Sequence, residues 1–189
     1  VSKLKDHTIP QVIEEKLIKQ ISKIARNYNG ILISDFVYGV ITPNIIDAIT
    51  KISKRFNIPV FADIQCSSQY GNVLKFENFE LLCPNEREAR IALGNNNDSI
   101  ESVAQQILEK TKSKKLVLKL GPNGFVSYEM TNDGFIDREH FPALTVNPLD
   151  VAGAGDSLLA AISVCLTTGL SFMEASALAN YMASLSVQT

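Results

Sequence analysis

The stretch NPLDVAGAGDSLLAAISVCL, Asn147 to Leu166, sets the small residues Ala152 to Gly155 between Asp150 and Asp156, then runs straight into apolar sequence. Small residues bury little and cost backbone entropy on folding, so a chain that clusters them needs its backbone exposed there. Asp156 precedes a long apolar segment. The spacing predicts that Gly153, Ala154 and Gly155 form the turn entering a helix over Asp156–Thr168. Free N–H groups and the positive end of the dipole make such an N-terminus an anion site, and small residues let a phosphate approach. The plain alternative is an Asp156 N-cap after a flexible loop; it accounts for Asp156 but not for the G-A-G before it, nor for Asp150. An aspartate beside a phosphate repels it. Its chemistry fits a base that takes a proton from a hydroxyl attacking phosphorus. A G-x-x-x-x-G-K-[ST] loop is absent, which argues against a Walker-type NTPase.

Upstream of this stretch, short apolar runs alternate with helical patterns. ILISD (31–35), VFAD (60–63), LLCPN (81–85) and LVLKLG (116–121) show little polar alternation, as strands buried on both faces do. Between them, an amphipathic segment covers about Gln11 to Arg26. Thr42 and Pro43 form an N-cap and N1 pair opening a helix to Phe56, and Asp98 or Ser99 caps Ile100–Lys110. Strand–helix alternation implies an α/β fold, a mostly parallel sheet with right-handed crossovers and helices on both faces, within one domain over 1–189. Phe125–Met130 and Phe135–His140 flank the turn signal TNDG, an antiparallel hairpin. A second closing helix, Ser171–Val187, opens on a capping box of Ser171 and Glu174, and Gly169 marks the stop of the one before.

Bulk properties narrow the function. The 189 residues are 46% hydrophobic, enough for one sizeable core. A net charge of −2 without a basic block argues against nucleic-acid or anionic-membrane partners. The longest apolar run, Leu158 onward to Cys165, is too short to span a bilayer. No basic-then-apolar leader opens the chain, and three widely spaced cysteines read as free thiols in a reducing, cytoplasmic setting. His7 and His140, the only histidines, make a His-ligated metal or a Ser-His-Asp triad improbable.

Asp35, Asp63, Asn85 and Gly121 each stand at or just after the carboxyl end of an expected parallel strand, where open α/β sheets place their ligand crevice. DVAGAGD resembles the second signature of the ribokinase/PfkB family of carbohydrate kinases. SDFVYG, FADIQ, CPNEREA, KLGPNG and DVAGAGDSLLAA occur in the family's order over nearly the whole chain, and in detail resemble the heptose-phosphate kinase branch. The resemblance implies ATP-dependent phosphoryl transfer to a hydroxyl of a sugar or sugar phosphate. It implies Asp156 as catalytic base, with Gly153, Ala154 and Gly155 as the anion hole. Asn85 and Glu88 match an N-x-x-E motif that organises Mg²⁺ and the triphosphate, largely through water. Lys119, Gly121 and Gly124 match the nucleotide-side loop, and Asp150 a monovalent-cation site suited to K⁺. Asp35 and Asp63 fall on the substrate side. Duller readings stand beside these: Asn85 with Glu88 is also a plain capping box, Gly121–Gly124 a β-turn, Asp63 a loop cap.

The chain departs from the pattern in three places. Ala152 replaces a hydroxyl residue, and Tyr38 stands where the heptose branch often has a base. The family's first strands, β lid and G-G sugar signature have no counterpart here, so the chain is expected to be the nucleotide-binding part of a kinase; a homodimer would form through that lid. Two other readings are a non-catalytic nucleotide-binding remnant and a kinase of a nucleoside or other alcohol on the same fold.

Overall fold

The computed structural model describes residues 7–65, 71–131, 133–145 and 152–188. Among them, six strands form one sheet in the order β1 (Ile31–Asp35), β2 (Val60–Ile64), β3 (Leu81–Leu82), β4 (Lys115–Lys119), β5 (Phe125–Met130) and β6 (Ile136–Phe141). β1 to β4 run parallel, and β5 and β6 extend the sheet antiparallel. The hairpin thus sits where TNDG places it, and the expected α/β architecture holds.

Helix α1 (Gln11–Ile24) precedes β1, α2 (Pro43–Phe56) joins β1 to β2, and α3 (Glu86–Leu93) and α4 (Ile100–Thr111) both lie between β3 and β4; between β2 and β3 the described residues hold a 3₁₀ turn, Val73–Lys75. Ile45 and Ile49 of α2 and Val103, Ala104 and Ile107 of α4 pack with Val60, Ala62, Ile64, Leu116 and Leu118 in one core. The opposite face of the sheet is covered by α5 (Ala154–Thr167) and α6 (Phe172–Ser186), whose Leu158, Leu159, Ile162, Phe172 and Ala175 meet Phe61, Leu81 and Val117. Burying one such Leu, Ile or Phe is worth about 1.5–3 kcal/mol, so both helical layers are held chiefly by these contacts.

Helix ends follow local chemistry. The Thr42 hydroxyl accepts the Ile45 N–H at 3.2 Å, with Pro43 in the first turn. Ser99, rather than Asp98, caps α4. Ser171 and Glu174 form the expected capping box on α6. Other boundaries move. The end of the first helical pattern tightens into a 3₁₀ turn at Ala25–Asn27. β3 stops at Leu82 instead of Asn85, because Pro84 has no N–H to give a ladder. Most consequentially, α5 begins at Ala154 instead of Asp156, with Gly153 as its N-cap.

Candidate active site

Strand alternation decides which side chains meet. Phe61 of β2 faces α5, so Asp63 and Gln65, two and four residues on, project to the same side. Ser34 is the register partner of Asp63 on β1, and Lys119 lies two residues past Val117 on β4. All four converge on the N-terminus of α5.

That helix opens without a side-chain cap. Gly153 adopts φ 81°, ψ −6°, and the first intrahelical bond runs from the Ser157 N–H to the Gly153 carbonyl at 2.9 Å. The N–H groups of Gly153, Ala154, Gly155 and Asp156 therefore have no intrahelical acceptor. Left-handed φ belongs to Gly153, and Gly155 is helical. A Cβ on Gly155 would lie 3.3 Å from Lys119 Nζ and 3.6 Å from Asp63 Oδ2, so the missing side chain lets the helix entrance sit on that pair.

Lys119 Nζ donates to Asp63 Oδ2 at 2.6 Å, and the Ile64 N–H donates to Asp63 Oδ1 at 2.8 Å. Burial pushes the Asp63 carboxyl up to about 6; Lys119 opposes the shift and the Glu88 charge adds to it. Burial also disfavours the Lys119 ammonium, but attraction to Asp63 outweighs it and holds the pKa above the ordinary lysine value. Cys83, buried against the same face, has its thiol pKa raised by burial, which keeps it inert.

Asp156 lies in the first turn of α5 and is not its cap. Its Oδ1 accepts from Ser34 Oγ and from Gln65 Nε2, each at 3.0 Å. The sequence reading named neither donor: both are neutral polar residues whose partner is 122 and 91 positions away, with no local motif.

Asn85 and Glu88 form a full capping box on α3: Asn85 Oδ1 accepts the Glu88 N–H and Glu88 Oε2 accepts the Asn85 N–H, both at 2.8 Å. Glu88 is nonetheless 3% exposed and close enough to act on the charges of Asp63 and Lys119. Asn85 also bridges to Lys119 through the backbone. Gly121, two residues past Lys119, opens a 3₁₀ turn, Gly121–Asn123, that joins β4 to β5. Gly124 has φ 81°, and a Cβ there would stand 2.0 Å from the Phe141 carbonyl oxygen.

Asp35 takes the other side of β1. Its buried carboxylate accepts the Val37 N–H at 2.9 Å and pairs with Lys75, away from the α5 cluster. Asp150 lies outside the described residues. Among the described residues no group of three His, Cys, Asp or Glu side chains is arranged to hold a metal ion directly. A cavity of about 570 Å³, lined by Lys114, Lys115, Glu80 and Leu170, contains none of the candidate residues; chemistry, not volume, marks the site.

Residues 9–189 match the family described as pfkB family carbohydrate kinase. The bifunctional protein HldE of Geotalea uraniireducens (strain Rf4) is 32% identical over 177 residues, covering 92% of this chain and 34% of that protein. The chain spans about a third of the length of the curated relatives it matches. Arabidopsis thaliana ribokinase, solved with ribose and ATP, superposes with a TM-score of 0.74 at 24% identity, over 90% of this chain and 53% of that one. Phosphofructokinase-2 from Escherichia coli, solved with potassium, superposes at 0.75 with 19% identity, over 93% and 57% of the two chains. At these identities the structural likeness is one of fold.

Proposed function

This chain belongs to the pfkB family of carbohydrate kinases, and on that premise we propose that it carries the nucleotide-binding and base-supplying part of an ATP-dependent sugar or sugar-phosphate kinase. One observation carries the reading: the open N–H groups of the first α5 turn, the Lys119 ammonium under Gly155 and the Asp156 carboxylate meet in one place. Backbone donors at a helix N-terminus, with an ammonium behind them, stabilise charge that grows on a transferring phosphoryl group. Asp156 takes the proton of the acceptor hydroxyl as its oxygen bonds the γ-phosphorus; the bond to the β–γ bridging oxygen breaks and ADP leaves.

Mg²⁺ suits the charge balance, since Asp63 and Glu88 are both buried beside the Lys119 ammonium. With no direct ligand trio among the described residues, Glu88 would hold the ion through water. The ion supplies neutralisation of triphosphate charge. Lys119, Asn85 and the turn bearing Gly121 and Gly124 take the nucleotide side, with Asp63 held against Lys119; Asp35, paired with Lys75 across β1, stands apart from this cluster. A K⁺ site at Asp150 rests on the motif resemblance and on the potassium in phosphofructokinase-2. The HldE relatives point the same way as the likeness to heptose-phosphate kinases, so a heptose phosphate is the first acceptor to assay.

Asp156→Asn tests the base. Because Gly153 is the N-cap, the substitution leaves the cap untouched. In a protein that also carries the acceptor-binding region, turnover with Mg-ATP should fall by about 10²- to 10⁴-fold, with nucleotide affinity equal or better as a negative charge leaves the triphosphate. Near-normal turnover in a folded Asn variant would remove Asp156 from the mechanism.

A further inference from the structure

We infer that Ser34 and Gln65 are positioning residues that lock the Asp156 carboxylate, so that Oδ2 is the oxygen that takes the proton; this rests on Asp156 being the base. Both donors fall on Oδ1, at 3.0 Å each, and among the described residues Oδ2 receives none. They come from adjacent strands, Ser34 within β1 and Gln65 just past β2, so the rigid parallel pair fixes their spacing. An aspartate's terminal torsion is broad and roughly two-fold. Two donors on one oxygen remove that freedom, and a carboxylate that does not turn keeps one oxygen aimed outward.

The chemistry of the donors is selective. On the same face of the sheet, Asp63 is held by an ammonium at 2.6 Å, which ties up its charge. Among the described residues, Asp156 is held by a hydroxyl and an amide. Neutral donors orient a carboxylate without supplying a counter-charge, so it stays available as a proton acceptor. Among the described residues, the charged groups near this end of α5 are Asp63 of β2 and Lys119 of β4, both packed under Gly155, with Glu88 of α3 acting on both; Asp35 and its partner Lys75 lie across β1.

The test uses Ser34→Ala, Gln65→Met and Ser34→Thr, which keeps the hydroxyl. Each donor-deleting variant should lose about 10-fold in kcat while KM for the nucleotide holds. Ser34→Thr should restore kcat. Independently of turnover, crystal structures of Ser34→Ala and Gln65→Met should show the Asp156 carboxylate turned from its parent orientation or split between two orientations. An unturned carboxylate, or kcat within twofold of the parent, overturns the inference. Asp156→Asn separates the two failures: if it is inactive while the donor variants are normal, only the positioning falls, and if it is active the base reading falls first.

Discussion

Gly153 and Gly155 are glycine for different reasons, and the difference is measurable. Gly153 needs its left-handed φ of 81°, with open space where a Cβ would go, so Gly153→Ala should cost about 1–2 kcal/mol through backbone strain alone. Gly155 is helical, and alanine there gains up to about 1 kcal/mol of helix propensity, but its Cβ would push on Lys119 Nζ from 3.3 Å. Urea midpoints should therefore fall for Gly153→Ala and hold or rise for Gly155→Ala, while only the second displaces the ammonium from the phosphate site and loses turnover without losing stability. The sequence pattern flagged both glycines, but nothing in G-A-G-D says which of them is the cap and takes the left-handed φ. Asp63 yields a pH prediction. Its carboxyl is raised from 3.8 to about 6, so the fold favours its neutral form. That contribution is fully present below about pH 4 and is lost as pH climbs through 6, on the order of 3 kcal/mol. The stability of the parent relative to Asp63→Asn should decline across that window, and a flat difference would mean the buried carboxyl is not shifted upward.

Among the elements, ends closed by side chains were legible and ends closed by backbone were not. Thr42–Pro43 and Ser171–Glu174 announce α2 and α6 because the capping atom belongs to a named residue type. The start of α5 was placed two residues late because its cap is a glycine without a side-chain bond. α3 was visible only as its capping box, Asn85 with Glu88, and that box leaves its two roles entangled. Substitutions separate them. Glutamine can still accept the Asn85 N–H, so Glu88→Gln should stay within about 0.5 kcal/mol of the parent, whereas Asn85→Ala should lose about 1 kcal/mol. If Glu88 also reaches Mg²⁺ through water, Glu88→Gln should demand more Mg²⁺ for half-maximal turnover at an unchanged urea midpoint. An unchanged Mg²⁺ requirement would leave Glu88 as a cap alone. Ser171→Ala supplies the control, about 1 kcal/mol less stable with turnover intact.

At the scale of the molecule, the parallel strands aim three separate stretches of chain, from β1, β2 and β4, at one helix end. The rule that ligands gather at strand carboxyl ends located the edge, but the face each residue takes comes from register. Asp63 and Asp35 look equivalent in sequence, yet the pleat sends them to opposite sides, one to Lys119 and α5, the other to Lys75. Ser34 and Gln65 stayed hidden because their role exists only once α5 is laid across β1 and β2. A site assembled this way should report its ligand through the stability of the whole fold. Binding to the native state alone adds about 2.7 kcal/mol at a ligand concentration of 100 Kd. For a chain of this size each kcal/mol moves the melting midpoint by about 2–4 °C, so saturating Mg-ATP should raise Tm by roughly 5–11 °C. Gly155→Val should abolish the rise, because its branched Cβ occupies the approach to the helix N–H groups and strikes the Lys119 ammonium. Lys119→Met should shrink it by removing the positive charge, while Asp156→Asn should keep it whole, since proton acceptance plays no part in holding the nucleotide. A rise equal in all four proteins would move the nucleotide away from this helix, and no rise in the parent would remove it from the described part of the fold.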